Sequence, residues 1–210
     1  MHYISYTPND LNQNQYYLDV VRATEAWNVT KGSAAVTVAI VDNGVFHVHN
    51  DLHANRWVNL LEIPNNGIDE DLNGYPDDVY GYDVALDEPD PSPPVGVNPN
   101  GYWSHGTHVA GITAATTDNG TGIASLGFNI RFMSVKASPD TGDGRALTHA
   151  FDGVYYAMQS GAAVINMSFG GPVFSNTGNN LMRSARNMGV VLIAAAGNDG
   201  DSATQYPAAY

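Results

Sequence analysis

The 210-residue sequence contains no cysteine, which excludes disulfide bonds, thiolate metal sites and a cysteine nucleophile. It has only 8 Lys and Arg residues against 21 Asp and Glu residues, for a formal net charge of −13. This balance argues against a nucleic-acid partner, because phosphate binding needs clusters of basic side chains. No apolar run approaches the roughly 20 residues that span a bilayer, so no membrane segment is predicted, and the first residues show no signal-peptide pattern.

What the sequence does contain is an alternation of short apolar runs and helix-like stretches. Continuous β-branched runs are typical of buried parallel strands, and strand–helix alternation builds βαβ units. The pattern therefore predicts an α/β fold with a mostly parallel central sheet covered on both faces. The predicted strands are residues 36–42, 130–135, 164–167 and 190–195, and the predicted helices are residues 105–117, 146–160 and 179–188.

Residues 59–101 interrupt the alternation. They are rich in Asn, Asp, Gly and Pro, and they contain the run Asp69-Glu70-Asp71-Leu72-Asn73-Gly74. We interpret this segment as a long surface insertion within one domain. Its acidic side chains are either a solvated surface or cation ligands.

Polar side chains follow three of the predicted strands, at Asp42, Ser168 and Asn198. Functional groups in parallel sheets gather beyond the carboxyl ends of the strands. An Asp that orients a His, here His105, would form two parts of an acyl-transfer triad, and an Asn amide would donate to an oxyanion. Each residue also has a structural interpretation, because Asp caps helices, His occurs in solvated loops and Asn between glycines forms turns.

Three motifs in this order resemble those of the subtilisin-like serine proteases, the subtilase or peptidase S8 family, and within it a thermitase-like calcium-binding branch. They are Ala39-Ile40-Val41-Asp42-Asn43-Gly44-Val45, His105-Gly106-Thr107-His108-Val109-Ala110-Gly111 and Ala194-Ala195-Ala196-Gly197-Asn198-Asp199-Gly200. Shorter matches occur at residues 6–10, 26–33, 118–124, 164–171 and 206–210. The resemblance implies a three-layer α/β/α fold with residues 1–210 as part of one catalytic domain.

The resemblance implies a serine endopeptidase in which Asp42 orients His105 and Asn198 serves the oxyanion. The family's serine lies in a Gly-Thr-Ser-Met-Ala motif, which does not occur in these 210 residues. We therefore expect the chain alone to be inactive. The alternative is a catalytically inactive peptide-binding or pseudoprotease fragment that needs a second chain. Asn43 stands where the family usually has Thr or Ser, and we expect it to supply no required group.

The resemblance also implies a polypeptide substrate held in extended form between two backbone segments. These segments are Gly142-Asp143-Gly144 and Ser168-Phe169-Gly170, with Ala196 and Gly197 in the wall of the neighbouring specificity pocket. Taken by themselves, the glycines would instead be interpreted as turns. An inhibitory propeptide, secretion and a monomeric full-length protein are further implications of the family.

The cofactor that the resemblance implies is structural Ca²⁺, without an organic cofactor. One predicted site draws on distant segments, with side chains of Asp10, Asp51 and Asn119 and backbone carbonyls of Thr116, Thr121 and Ile123. The alternative is that Asp51 caps a helix and Asn119 forms a turn. A second site is predicted in the insertion, at Asp69, Asp71, Asn73 and Asp77. The alternating oxygen side chains resemble the opening of an EF-hand loop, but Tyr80 stands where its bidentate Glu belongs.

Overall fold

The computed structural model describes residues 6–210, in which five strands form one parallel sheet with the order β2-β3-β1-β4-β5. The strands are β1 (Thr37–Asp42), β2 (Gly81–Asp83), β3 (Arg131–Lys136), β4 (Val164–Met167) and β5 (Val191–Ala194). The helices are α1 (Tyr16–Val20), α2 (Ala23–Ala26), α3 (His105–Ala114), α4 (Ala150–Gln159) and α5 (Asn176–Asn187). Two single 3₁₀ turns lie at His53–Asn55 and Tyr102–Ser104. The predicted α/β fold with a parallel central sheet is confirmed.

Strand β1 is the centre of the sheet, and all six of its residues are buried. Its side chains alternate between two apolar clusters. Val38 and Ile40 belong to the cluster that contains Ala110 and Ala114 of α3. Ala39 and Val41 belong to the cluster that contains Val154 and Ala157 of α4. Helices therefore cover both faces of the sheet, which explains why the sequence of β1 is continuously apolar.

The sequence prediction missed three short elements. Strand β2 lies inside the insertion and pairs with β3 through only three residues, from Gly81↔Ser134 to Asp83↔Lys136. Helices α1 and α2 have only five and four residues. Elements of this length contain too few positions for a periodic pattern to appear.

Strand β5 forms one edge of the sheet and is only partly covered. Val191 and Ile193 are each 52 % exposed, whereas every residue of β1 is buried. Among residues 6–210 no helix combines the length and the hydropathy needed to cross a membrane.

A buried ion pair lies at the carboxyl ends of strands β2 and β3. Lys136 is 1 % exposed, and its Nζ lies 2.5 Å from a carboxylate oxygen of Asp83, which is fully buried, and 2.5 Å from one of Asp140. Burial disfavours the ammonium ion, but the bonds to Asp140 and Asp83 outweigh it and raise the pKa of Lys136. Lys136 thereby links β2 to Asp140, which precedes the predicted substrate segment Gly142–Gly144.

Candidate active site

The site is built where the carboxyl end of β1 meets the amino end of α3. Asp42 is the last residue of β1, and His105 is the first residue of α3. The Nδ1 atom of His105 lies 2.8 Å and 2.9 Å from the two carboxylate oxygens of Asp42. Asp42 is 1 % exposed, and the side chain of His105 is 48 % exposed. A buried acceptor thus fixes one imidazole nitrogen and leaves the ring open to solvent on its other side.

Gly106 allows α3 to start against the loop that follows Asp42. A Cβ atom at this position would lie 2.3 Å from the backbone oxygen of Gly44 and 3.0 Å from the Cβ of Asp42. Any side chain would therefore push the helix away from the loop. The loop is also tied to the helix by the Phe46 N–H, which donates to Thr107 Oγ1 at 2.9 Å. The glycine after His105 is thus required by packing.

Asp42 changes the acid–base properties of His105. The hydrogen bond that Asp42 accepts from His105 raises the pKa of the imidazole above its ordinary value, with a further Coulombic contribution from the same carboxylate. Partial burial acts in the opposite direction but is the weaker influence. His105 therefore accepts a proton more readily than an unperturbed imidazole.

A cavity of about 260 Å³ lies beside this pair. Its lining joins β1, the start of α3 and two of the predicted substrate segments, and consists of Asp42, Asn43, Tyr102, His105, Gly144, Arg145, Leu147, Ser168, Phe169 and Gly170. Four predicted substrate residues, Gly144, Ser168, Phe169 and Gly170, are thus brought to the Asp–His pair.

Other predicted residues do not reach this cavity. Asn198, Ala196 and Gly197 lie in the exposed segment after β5, outside the lining residues. Gly142 and Asp143 are also exposed, and the carboxylate of Asp143 pairs with Arg145 at 3.3 Å. The oxyanion and pocket-wall roles of the residues after β5 therefore remain predictions.

A larger cavity of about 600 Å³ lies between α5 and β5. It is lined by Asn179, Met182, Arg183, Arg186, Val190, Val191, Leu192 and Tyr210. None of these side chains is a carboxylate or an imidazole, so the cavity offers no general base. The smaller cavity is the candidate active site because it contains one.

The structure brings together the residues predicted for the first cation site. The Asn119 side-chain amide donates to Asp51 Oδ1 at 2.8 Å, and the Asn119 backbone N–H donates to Asp10 Oδ2 at 3.0 Å. The Thr116 N–H donates to the backbone oxygen of Asp51 at 2.7 Å, and the Ile123 N–H donates to Asp51 Oδ2 at 3.0 Å. Thr121 lies alongside, where its N–H donates to Asn119 Oδ1 at 2.9 Å.

An orphaned oxygen in this cluster fits a cation. Asp10 is 7 % exposed, and its Oδ1 has no hydrogen-bond partner within residues 6–210. A buried carboxylate oxygen without a donor is costly, and an oxygen-seeking cation such as Ca²⁺ would satisfy it.

The second predicted cation site contains a residue that the sequence analysis missed. Carboxylate oxygens of Glu62, Asp69 and Asp71 all lie within 4.8 Å of one another. Glu62 is buried at 7 % exposure, although it precedes the acidic run by seven residues. Its neighbours Leu61 and Ile63 are exposed, so the local pattern carried no signal that Glu62 is buried.

Two other carboxylates of the insertion lie next to this group without belonging to it. The carboxylate of Asp77 accepts from the N–H groups of Asn66 and Gly67, at 3.0 Å and 2.8 Å. Asp78, which was not predicted, is fully buried and accepts from Tyr156 at 2.9 Å. Burial raises the pKa of Asp78 to about 6, although its hydrogen bonds oppose the shift.

The structure thus holds a buried Asp against a half-exposed His at the carboxyl edge of a parallel α/β sheet. The subtilase family model matches residues 33–210, and the chain belongs to that family. It is 37 % identical over 208 residues to a thermophilic serine proteinase of Bacillus sp. (strain AK1), and 36 % identical over 207 residues to thermitase of Thermoactinomyces vulgaris.

Comparison with solved structures gives a similar fold. The match to a protease from Pseudoalteromonas arctica covers 96 % of this chain and 62 % of the protease chain, with a TM-score of 0.71 and 28 % sequence identity. Matches to the two relatives named above cover 98 % of this chain but only 44 % and 63 % of their lengths. The chain thus spans about half the length of these curated relatives.

Proposed function

We propose that the chain forms part of the catalytic domain of a serine endopeptidase, with Asp42 as orienting carboxylate and His105 as general base. The observation that carries this proposal is the bond from His105 Nδ1 to both carboxylate oxygens of Asp42. A proton held on Nδ1 leaves Nε2 as the basic nitrogen. Within residues 6–210, Nε2 has no hydrogen-bond partner, so it is available to take a proton from a serine hydroxyl.

The proposed substrate is an extended polypeptide that passes through the cavity beside His105. Gly144 on one side and Ser168–Gly170 on the other offer backbone groups for strand-like pairing. In this proposal Gly142 and Asp143 continue the first edge, Ala196 and Gly197 line the specificity pocket, and Asn198 donates to the oxyanion.

Hydrolysis also requires the nucleophilic serine. Ser168 lines the cavity but is a poor candidate, because its hydroxyl accepts from Asn166 Nδ2 at 2.9 Å and makes no bond to His105 within the described chain. We expect the 210 residues alone to cleave no unfolded polypeptide, and a chain that also carries the Gly-Thr-Ser-Met-Ala motif to cleave it.

The test uses a chain that also carries the Gly-Thr-Ser-Met-Ala motif, here called the serine-carrying chain. It compares substitutions of two histidines in helix α3. His105→Ala should abolish hydrolysis of casein, whereas His108→Ala should leave it unchanged, because His108 is exposed on α3 three residues further on. Cleavage that survives His105→Ala would overturn the proposal. Tight peptide binding without cleavage by the serine-carrying chain would favour the alternative, a non-catalytic peptide-binding protein.

We further propose that Ca²⁺ stabilises the fold at two places. The first site would use Asp10, Asp51 and Asn119 with carbonyls of Thr116, Thr121 and Ile123, and the orphaned Asp10 oxygen supports it. The second would use Asp69, Asp71 and Asn73 together with Glu62, and the close approach of its carboxylates supports it. A requirement for abundant calcium is consistent with a secreted protein.

Calcium titration by calorimetry separates these two sites. Asp10→Asn should remove one binding event, and Asp71→Asn should remove the other. Each occupied site is expected to raise the free energy of unfolding by about 2.7 kcal/mol when free Ca²⁺ is 100 times its dissociation constant. Asp77→Asn serves as the matched control, because its carboxylate faces the Asn66–Gly67 turn. Unchanged calcium binding in both test variants would contradict the assignment.

A further inference from the structure

We propose that Asn43 is a positioning residue that fixes the start of helix α3 and the Gly142–Gly144 segment relative to Asp42. The proposal rests on the proposed role of Asp42 and His105 as an acid–base pair. Asn43 follows Asp42 directly and is 2 % exposed. The proposal departs from the expectation that Asn43 supplies no required group, because its side chain makes three hydrogen bonds.

The amide of Asn43 joins three segments that are distant in sequence. Its Nδ2 donates to the backbone oxygen of Tyr102 at 2.7 Å and to that of Gly144 at 3.0 Å. Its Oδ1 accepts from the Gly106 N–H at 3.1 Å. Both amide hydrogens and the carbonyl oxygen are therefore used, and each bond reaches a segment at least 59 residues away.

The bond to Gly106 caps helix α3 from outside the helix. The first N–H groups of a helix have no partner within it and need an external acceptor. Ser104 precedes the helix, but its hydroxyl donates to the Gly101 oxygen at 2.7 Å and does not cap. Asn43 supplies the missing acceptor one residue after His105. The first turn of α3, and with it the imidazole, is thereby held against the loop that carries Asp42.

The bond to Gly144 holds one side of the cavity beside His105. Gly144 is buried with a φ of +83°, and a Cβ atom there would lie 2.7 Å from the Trp103 ring. Trp103 follows Tyr102, whose carbonyl is also held by Asn43. Asn43 and Trp103 therefore confine Gly144 from two directions. A serine or threonine hydroxyl has a single hydrogen to donate and could not hold both carbonyls.

Removal of the amide should loosen the Asp42–His105 bond, and His105 reports this through its pKa. In the 210-residue chain, Asn43→Ala and Asn43→Leu should each lower the His105 pKa toward its ordinary value, measured by NMR titration of the imidazole. The leucine variant keeps the side-chain volume, so a shift in both variants assigns the effect to the hydrogen bonds. Because no serine is involved, the result does not depend on peptide hydrolysis.

Asn55 provides the matched control. It is also buried, and its Nδ2 donates at 3.1 Å to the backbone oxygens of Ala114, at the opposite end of α3, and of Phe128. Asn55→Ala should destabilise the fold but leave the His105 pKa unchanged. A merely structural role for Asn43 predicts that Asn43→Ala behaves like Asn55→Ala, and that outcome would overturn the proposal.

A second measurement needs no variant and remains available if the Asn43 variants fail to fold. The bond to Asn43 predicts that the Gly106 amide exchanges its hydrogen at least about tenfold more slowly than an unstructured chain. Exchange at the unstructured rate would contradict the proposal. If instead the serine-carrying chain cleaves no polypeptide while Gly106 is protected and the Asn43 variants shift His105, the proposed protease function fails and the positioning role stands.

Discussion

A serine-carrying chain should lose about 10⁴-fold in turnover when Asp42 is replaced by asparagine. The carboxylate accepts the Nδ1–H of His105 through both oxygens. An asparagine amide can donate to Nδ1 instead, which would place the imidazole proton on Nε2. His105 would then be unable to accept the serine proton, although the shape of the site would be preserved. Turnover of a peptide substrate measures this loss.

The pH profile provides a second readout of the same change. A general base acts in its neutral form, so turnover should rise with pH through the pKa of His105, which lies above its ordinary value of about 6.5. In Asp42→Asn the remaining influence on the His105 pKa is partial burial, which lowers it. The midpoint of the pH–turnover profile should therefore move to lower pH. Asp19→Asn, an exposed substitution on α1, is the control and should change neither turnover nor the midpoint. Equal activity of Asp42→Asn and the wild-type chain would contradict the assigned role.

Replacement of Lys136 by methionine should lower the free energy of unfolding by about 3–5 kcal/mol. Methionine fills a similar volume but leaves the fully buried carboxylate of Asp83 without its cation. An uncompensated buried charge is more costly than the original pair. The Asp83 carboxylate also accepts from the N–H groups of Ala85 and Leu86, so it cannot simply turn toward solvent. Denaturant titration of the 210-residue chain measures the loss.

A double variant separates the lost charge from the lost packing. Asp83→Asn keeps an oxygen for the Ala85 and Leu86 N–H groups but removes the negative charge. The combination of Lys136→Met with Asp83→Asn should therefore be more stable than Lys136→Met alone. A single variant within about 1 kcal/mol of wild type, or a double variant that is less stable than the single, would contradict the assignment of a buried ion pair.

The main elements of the fold could be predicted because their signals are local. The apolar run at residues 36–42 is continuous because both faces of β1 are buried, and the observed strand is Thr37–Asp42. Strand β4 was predicted with its observed bounds, Val164–Met167. Strand β2 was missed because its three residues form a strand only by pairing with β3, a contact that no local pattern encodes.

Residues of the candidate site likewise divide into those with a local sequence signal and those that depend on remote contacts. The Asp42 and His105 motifs are contiguous, so the sequence identified both residues and the structure brings them together. The role of Asn43 could not be predicted, since its partners are three backbone groups in two remote segments and have no side-chain signature. Glu62 was missed for a related reason, because the fold brings it back to the acidic run at Asp69 and Asp71.

The central claim is that Asp42 and His105 act as one acid–base unit, and an NMR titration of His105 in the 210-residue chain tests it most directly. The account predicts a pKa above the ordinary 6.5 in the wild-type chain and a pKa below that value in Asp42→Asn. His108, exposed on the same helix, serves as the internal reference signal in both proteins. A wild-type His105 that titrates at or below 6.5, or that does not respond to the loss of the Asp42 carboxylate, would contradict the account.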